Sequence, residues 1–273
     1  MKLDRIFKVN KPVVGMLHLD YLEGQPEYRG WNYLMSKAVV DFHNLQAGGI
    51  NGILVENWKE DTIGEKANPK NAECMRRVCQ DLPPAEVPLG VNVLNNDYQT
   101  SFDIAKEIGA KFVQLDVFVD HVQTKYDFSP SAKKHSFDVK PNPKEIIDYR
   151  RKIGAEDVAL FTSVQPKHYK MLERKTMETS AEQAIENGTD AIVVTGAKTG
   201  FAPTLDKILE VKKVSGDVPV CIGSGLSRRY ARQYIPEVDF AIVGTDLKYE
   251  TKTDNPVDVE KVKELMRIVK GMR

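Results

Sequence analysis

Short apolar runs alternate with amphipathic stretches along the whole chain. Eight runs rich in Val, Ile, Leu and Phe predict strands at 12–18, 52–56, 89–94, 112–118, 158–164, 191–194, 220–222 and 240–243. Their nearly continuous apolar character suits strands of a parallel sheet covered on both faces. Helical patterns lie between them. Trp31, Leu34, Met35, Ala38, Val39, Phe42 and Leu45 recur at helical spacing, and Val259, Val262, Leu265, Met266 and Val269 mark a last helix. Asp97 predicts a cap before the face Phe102, Ala105 and Ile108, and Ser180 with Gln183 reads as a capping box. Gly49, Gly109 and Gly188 stand where a helix would end and lead into a strand, as a left-handed C-cap requires.

A strand–helix unit repeated with right-handed crossovers closes into a barrel or opens into a doubly wound sheet. Eight units predict closure: a single (β/α)8 TIM barrel over residues 1–273, close to the roughly 250 residues usual for that fold. The absence of Gly-x-Gly-x-x-Gly after the first strand argues against a dinucleotide-binding fold. Two βα loops are long, at about 120–142 and 166–179. The first carries His121, Lys125, Lys133, Lys134 and His135, and the second Lys167, His168, Lys170, Arg174 and Lys175. Both emerge on the C-terminal face of a barrel. Loops of this length serve as lids or binding loops, or are solvated excursions without a role.

The last three strands each run into glycines: Gly196 to Gly200, Gly223-Ser224-Gly225 and Gly244-Thr245. Glycine lets backbone N–H groups approach an anion, and loops after the seventh and eighth barrel strands commonly hold phosphate. Gly196, Lys198, Gly200, Gly223, Ser224, Gly225, Gly244 and Thr245 therefore form a candidate phosphate cup, with Lys198 as a charge within it. Tight turns without a ligand are the simpler alternative.

Residues at strand C-termini face the site of a barrel enzyme. Those placed for catalysis are His18, Glu56, Asp116 and Lys167, and those for substrate binding are Asn57, Asn92, His168 and Thr195. Glu56 and Asp116 interrupt apolar runs, where a carboxylate needs a cation, hydrogen bonds or a metal. Together they suit Mg²⁺ beside a substrate phosphate, although no cofactor is evident and no His-x-x-x-His or Cys-x-x-Cys spacing occurs. A structural carboxylate paired with lysine fits the same positions.

Lysine plus arginine total 39 and aspartate plus glutamate 39, for zero net charge, which argues against a nucleic-acid polymer as partner. No apolar stretch reaches the roughly 20 residues of a membrane span. The first ten residues lack the apolar core of a signal peptide, so a cytoplasmic location is expected. The three cysteines Cys74, Cys79 and Cys221 read as structural thiols. A homo-oligomer is compatible with this composition.

Several segments together resemble the BtpA family, which includes SgcQ-type proteins. They are Lys11-Pro12-Val13-Val14-Gly15-Met16-Leu17-His18, Ala47-Gly48-Gly49-Ile50-Asn51-Gly52-Ile53-Leu54-Val55-Glu56-Asn57 and Pro88-Leu89-Gly90-Val91-Asn92-Val93-Leu94-Asn95-Asn96-Asp97, with the later glycine turns and Asn255-Pro256-Val257-Asp258. The resemblance implies a barrel of the ribulose-phosphate-binding type. One branch of the family is linked to photosystem I biogenesis, and other members are described as nucleosidase-like or sugar-metabolic. This chain departs in Asp116, where asparagine is common, in Lys198, and in the lysine-rich loop from Asp120. The expected function is an enzyme acting on a phosphorylated sugar or nucleotide-like molecule, as isomerase, lyase or nucleosidase-like hydrolase. The alternative is a non-catalytic assembly or regulatory factor that keeps a ligand-binding barrel.

Overall fold

The computed structural model describes residues 3–60, 62, 64–124 and 136–273. Lys125, Lys133, Lys134 and His135 lie outside the described residues. The barrel strands are β1 (Val13–His18), β2 (Gly52–Glu56), β3 (Leu89–Asn92), β4 (Phe112–Leu115), β7 (Ala159–Val164), β9 (Ala191–Val194), β10 (Val220–Ile222) and β11 (Phe240–Val243). All their pairings are parallel, and β1 closes the ring against both β2 and β11. Helices α1 (Trp31–Ala47), α2 (Pro69–Asp81), α3 (Tyr98–Glu107), α4 (Pro143–Lys152), α5 (Met177–Glu186), α6 (Leu205–Val214), the short α7 (Ala231–Tyr234) and α8 (Val259–Lys270) intervene. None of the described helices is long and apolar enough to cross a membrane.

All eight predicted barrel strands form, but the third and fourth end early. Leu94 N–H donates to Asn57 Oδ1 at 2.7 Å, Val93 N–H to Ser101 Oγ at 3.1 Å and Val117 N–H to Asn96 Oδ1 at 3.0 Å. Side chains from neighbouring loops and from α3 thus take the backbone donors that a longer ladder would use. Asp97 caps α3, accepting from Thr100 N–H at 3.1 Å. Gly49, Gly109 and Gly188 adopt φ of 83°, 68° and 91°, as their C-cap role requires. The Ser180 capping box is not formed. Thr176 is the N-cap, accepting from Thr179 N–H at 3.1 Å, while Ser180 sits a turn inside α5 and donates to Asp120 Oδ1 at 2.7 Å. A second hydroxyl residue upstream starts the helix sooner.

The two long loops are joined to each other. Strands β5 (Val122–Thr124), β6 (Asp138–Val139) and β8 (Tyr169–Met171) form an antiparallel sheet in the order β6-β5-β8. Val117, Val122, Val139 and Tyr169 bury together beneath it. Strands of two or three residues are too short for hydrophobic periodicity to reveal.

The barrel interior is closed from below by aromatic rings. Phe112 stacks on Phe161 at a 4.8 Å centroid distance, Phe161 meets Phe240 at 5.1 Å, and Phe7 reaches Phe112 at 5.8 Å. Gly90 makes room for this plug, since a Cβ there would fall 2.1 Å from Phe112 Cε2. Alternate residues point outward into a larger core shared with the helices, including Leu17, Val55, Val91, Leu115 and Val194. With the lower end filled, polar groups at the barrel axis face only the C-terminal mouth.

Candidate functional site

The inward-facing top positions divide the mouth into two halves. Strands β1 to β4 deliver His18, Glu56, Asn92 and Asp116. Strands β7 to β11 deliver the small residues Ser163, Thr195, Gly223 and Gly244. Small residues are required there. A Cβ on Gly244 would meet His18 Cε1 at 2.6 Å, and one on Gly223 would meet Val193 Cγ1 at 2.2 Å. One half therefore carries ionisable and amide side chains and the other mainly exposes backbone.

Glu56 is the centre of the polar half. Asn92 Nδ2 donates to its Oε2 at 2.8 Å, and His18 Nε2 stands 3.7 Å from its Oε1. Burial pushes the carboxyl up to about 7, opposed by the Lys167 charge and the Asn92 hydrogen bond and assisted by Asp116. Burial also raises Asp116, against the pull of Lys167 and of Gln114, whose Nε2 lies 3.3 Å from Asp116 Oδ1. His18 is driven well below its ordinary range by burial and by the Lys248 and Lys167 charges. Its contact with Glu56 is thus that of a neutral imidazole, longer than a hydrogen bond, and not an ion pair.

Lys167 reaches this centre from a tightly held turn after β7. Gln165 and His168 adopt φ of 43° and 66°, a costly left-handed conformation for residues with side chains. Polar contacts fix the turn: Gln165 N–H to Asp120 Oδ2 at 2.6 Å, Lys167 N–H to Thr195 Oγ1 at 2.8 Å, and His168 Nε2 with Thr199 Oγ1 at 2.9 Å. Lys167→Met should raise the apparent pKa of Glu56 above its wild-type value near 7, because the lysine charge favours the carboxylate. Carboxyl NMR titration of labelled protein would measure this, and an unchanged midpoint would remove Lys167 from the electrostatics of the site.

A cavity of about 100 Å³ joins the two halves. His18, Glu56 and Lys167 line it together with Gly200, Gly223, Ser224, Gly225, Gly244 and Thr245. Its volume is below the roughly 300 Å³ usual for a small-molecule pocket, so a ligand larger than an anion extends toward the open mouth. Among the described residues no hydrogen bond engages the N–H of Gly225 or Thr245. Gly196 N–H instead donates to Ser224 Oγ at 2.8 Å, and Ser224 Oγ to Phe201 O at 3.0 Å. Those two residues tie one turn to the next.

The remaining candidates sit elsewhere. Lys198 is exposed, with its ammonium 4.6 Å from the Phe201 ring centroid. Asn57 bridges two loops through Glu60 Oε2 at 2.9 Å and the Leu94 backbone. Thr195 and His168 act on the Lys167 turn. Trp58, Gln114, Thr199 and Asp246 also line the cavity and were not among the predicted residues. Gln114 was legible as a polar interruption of an apolar run, whereas Trp58 carried no comparable signal. Among the described residues no group of three or more His, Cys, Asp or Glu side chains converges as a metal site.

Known proteins resemble both the sequence and the architecture. An uncharacterized protein of Pyrococcus furiosus is 30% identical over 264 residues, covering 94% of each chain. The photosystem I biogenesis protein BtpA of Synechocystis is 29% identical over 262 residues, covering 94% of this chain and 88% of its own. Among solved structures, Mycobacterium tuberculosis tryptophan synthase superposes with a TM-score of 0.59 at 14% identity, covering 95% of this chain and 92% of that one. Phosphoribosyl anthranilate isomerase of Thermus thermophilus gives 0.55 at 10% identity, covering 96% and 100%. At such low identity these structures speak for the barrel alone. The family model for BtpA matches residues 9–271, nearly the whole barrel with its polar half and its glycine turns, and the chain belongs to the BtpA family.

Proposed function

We propose that the protein is an enzyme acting on a phosphorylated small molecule, a sugar phosphate or nucleotide-like ester, with Glu56 as the proton-transferring group. One observation supports this reading: Glu56 and Lys167 line the same cavity as Gly225 and Thr245, whose N–H groups no hydrogen bond engages among the described residues. The phosphate sits against Gly225 and Thr245, whose N–H groups donate to its oxygens, with Gly200, Gly223, Ser224 and Gly244 shaping the cup. The rest of the substrate then points at the polar half.

Glu56 has the pKa that general acid–base work needs near neutral pH, and Asn92 fixes its orientation. Lys167 opposes negative charge that develops on a substrate oxygen as a proton leaves carbon or reaches a leaving group. Neutral His18 serves as donor or acceptor without adding charge. Isomerisation, C–C cleavage and glycosidic cleavage all draw on this set. Asp116 shares the electrostatics of the site, and Mg²⁺ held by the two carboxylates is compatible with it.

Thermal-shift titration with inorganic phosphate, ribose 5-phosphate and nucleoside monophosphates tests the proposal. A ligand at 100 times its Kd adds about 2.7 kcal/mol to stability and raises the melting temperature. Crystals grown in phosphate should show an anion within hydrogen-bond reach of Gly225 or Thr245 N. Anion density elsewhere, with the turns empty and no phosphate ester stabilising the fold, would defeat it. A second reading, an assembly factor with a ligand-binding barrel, draws on the name of the Synechocystis relative. It predicts ligand stabilisation without turnover in any member of the screen.

A further inference from the structure

Three side-chain atoms at the barrel axis are buried and have no hydrogen-bond partner among the described residues: His18 Nδ1, Gln114 Oε1 and Ser163 Oγ. Gln114 is 7% exposed and Ser163 fully buried. His18 and Gln114 line the cavity. Ser163 faces the axis from the strand next to that of Gln114, across the ring from His18, since Leu115 of β4 pairs with Thr162 of β7 and inward positions alternate along each strand. A buried polar atom left unpaired is costly, and three turned toward one barrel axis point to a ligand that completes them.

From this unmet set we infer that Gln114 and Ser163 are specificity residues, and that the phosphate-distal part of the ligand is a polyol carrying hydroxyls on at least two carbons. The inference rests on the phosphate reading of the glycine turns and adds the class of substrate to it. Gln114 Oε1 accepts only, so its partner must bring a hydrogen. Ser163 Oγ accepts or donates, and His18 Nδ1 does either according to tautomer. A carbonyl or carboxylate group supplies acceptors alone. It would leave Gln114 Oε1 unmet and oppose the Glu56 and Asp116 carboxyls. A flat aromatic group supplies neither role along its faces. A run of hydroxyls supplies both, donating to Gln114 and the carboxyls while accepting from Ser163.

Calorimetric titration of the wild type, Gln114→Met and Ser163→Ala with three probes decides the matter. The probes are inorganic phosphate, ribose 5-phosphate and the neutral polyol ribitol. The wild type should bind ribose 5-phosphate at least tenfold tighter than phosphate. Each variant should lose at least tenfold for ribose 5-phosphate and ribitol while phosphate affinity changes less than twofold, which also reports that the variant is folded. Equal affinity of the wild type for phosphate and ribose 5-phosphate would overturn the inference and leave the phosphate reading standing. So would variants that bind the sugar phosphate unchanged, with buried water completing the polar set, or variants that lose both ligands equally. Ribitol binding that is lost in both variants, with phosphate and its ester binding nowhere, would support the polyol floor and defeat the phosphate cup. No binding of any probe would overturn both.

Discussion

Glu56→Gln is expected to melt above the wild type at pH 8 and to coincide with it near pH 4.5. The wild-type carboxyl is raised from 4.5 to about 7 by burial. Below pH 4.5 it holds its proton in both folded and unfolded chains, and the fold has its full stability. Between pH 4.5 and 7 the unfolded chain ionises first, so stability falls. Above 7 the loss is complete and amounts to about 3 kcal/mol, on the scale of 1.36 kcal/mol per pKa unit. Glutamine has no charge to bury and keeps an oxygen to accept from Asn92. The gain corresponds to roughly 5–10 °C in melting temperature for a chain of this size.

The same substitution removes the group proposed to carry the proton. Turnover of a sugar phosphate identified by titration should fall about 100-fold or more, while phosphate affinity holds because the proposed cup is built from the glycine turns and not from Glu56. A functional carboxyl maintained against the interest of stability is a recognised trade-off. Melting curves from pH 4 to 9 on both proteins make the comparison. Parallel curves across that range would show that Glu56 ionises freely and would remove it as a base poised near neutrality.

Gly225→Ala should cost stability and phosphate binding together. Gly225 adopts φ of +67°, and a Cβ built on it lies 1.9 Å from Ala202 N and 2.0 Å from Phe201 C. Both obstacles are backbone, so no rotamer relieves them. The left-handed conformation alone costs about 1–2 kcal/mol with a side chain. Forcing two turns apart adds a further 1–3 kcal/mol or so. The Gly225 N–H, which no hydrogen bond engages among the described residues, shifts with its turn. Gly216→Ala is the control. Its φ is +53° with nothing within 4 Å of the added Cβ, so it bears only the conformational cost. Denaturant unfolding and phosphate titration on both variants separate the effects. Equal stability loss in the two, with phosphate affinity kept by Gly225→Ala, would show that close packing of the turns is not what shapes the cup.

The barrel was legible because its strands are buried on both faces. Leu17, Val55 and Val91 point to the helices while Val14, Leu54 and Phe112 point to the axis, so whole runs read as apolar. The polar exceptions at their C-terminal ends, His18, Glu56, Asn92 and Asp116, stood out against that background. The glycine turns were visible for a related reason, as no other residue leaves the backbone so bare.

Other assignments depended on partners distant in the chain. Gly196 and Ser224 read as cup residues, yet their mutual hydrogen bond spans 28 positions. Asn57 read as a substrate ligand, yet it closes the loop at Leu94. The β5–β6–β8 sheet arises from two loops whose strands are too short to have a period.

Local pattern therefore determined the number and order of barrel strands and the residue types at the strand C-termini that line the cavity. Those properties follow from backbone period and burial, which act within a few neighbours. Tertiary structure decided which polar groups are already satisfied and which face the cavity unmet. It also decided how far the Glu56 carboxyl is raised, because the burial that raises it and the field of Lys167 that opposes this come from strands and turns brought together only by closure of the ring.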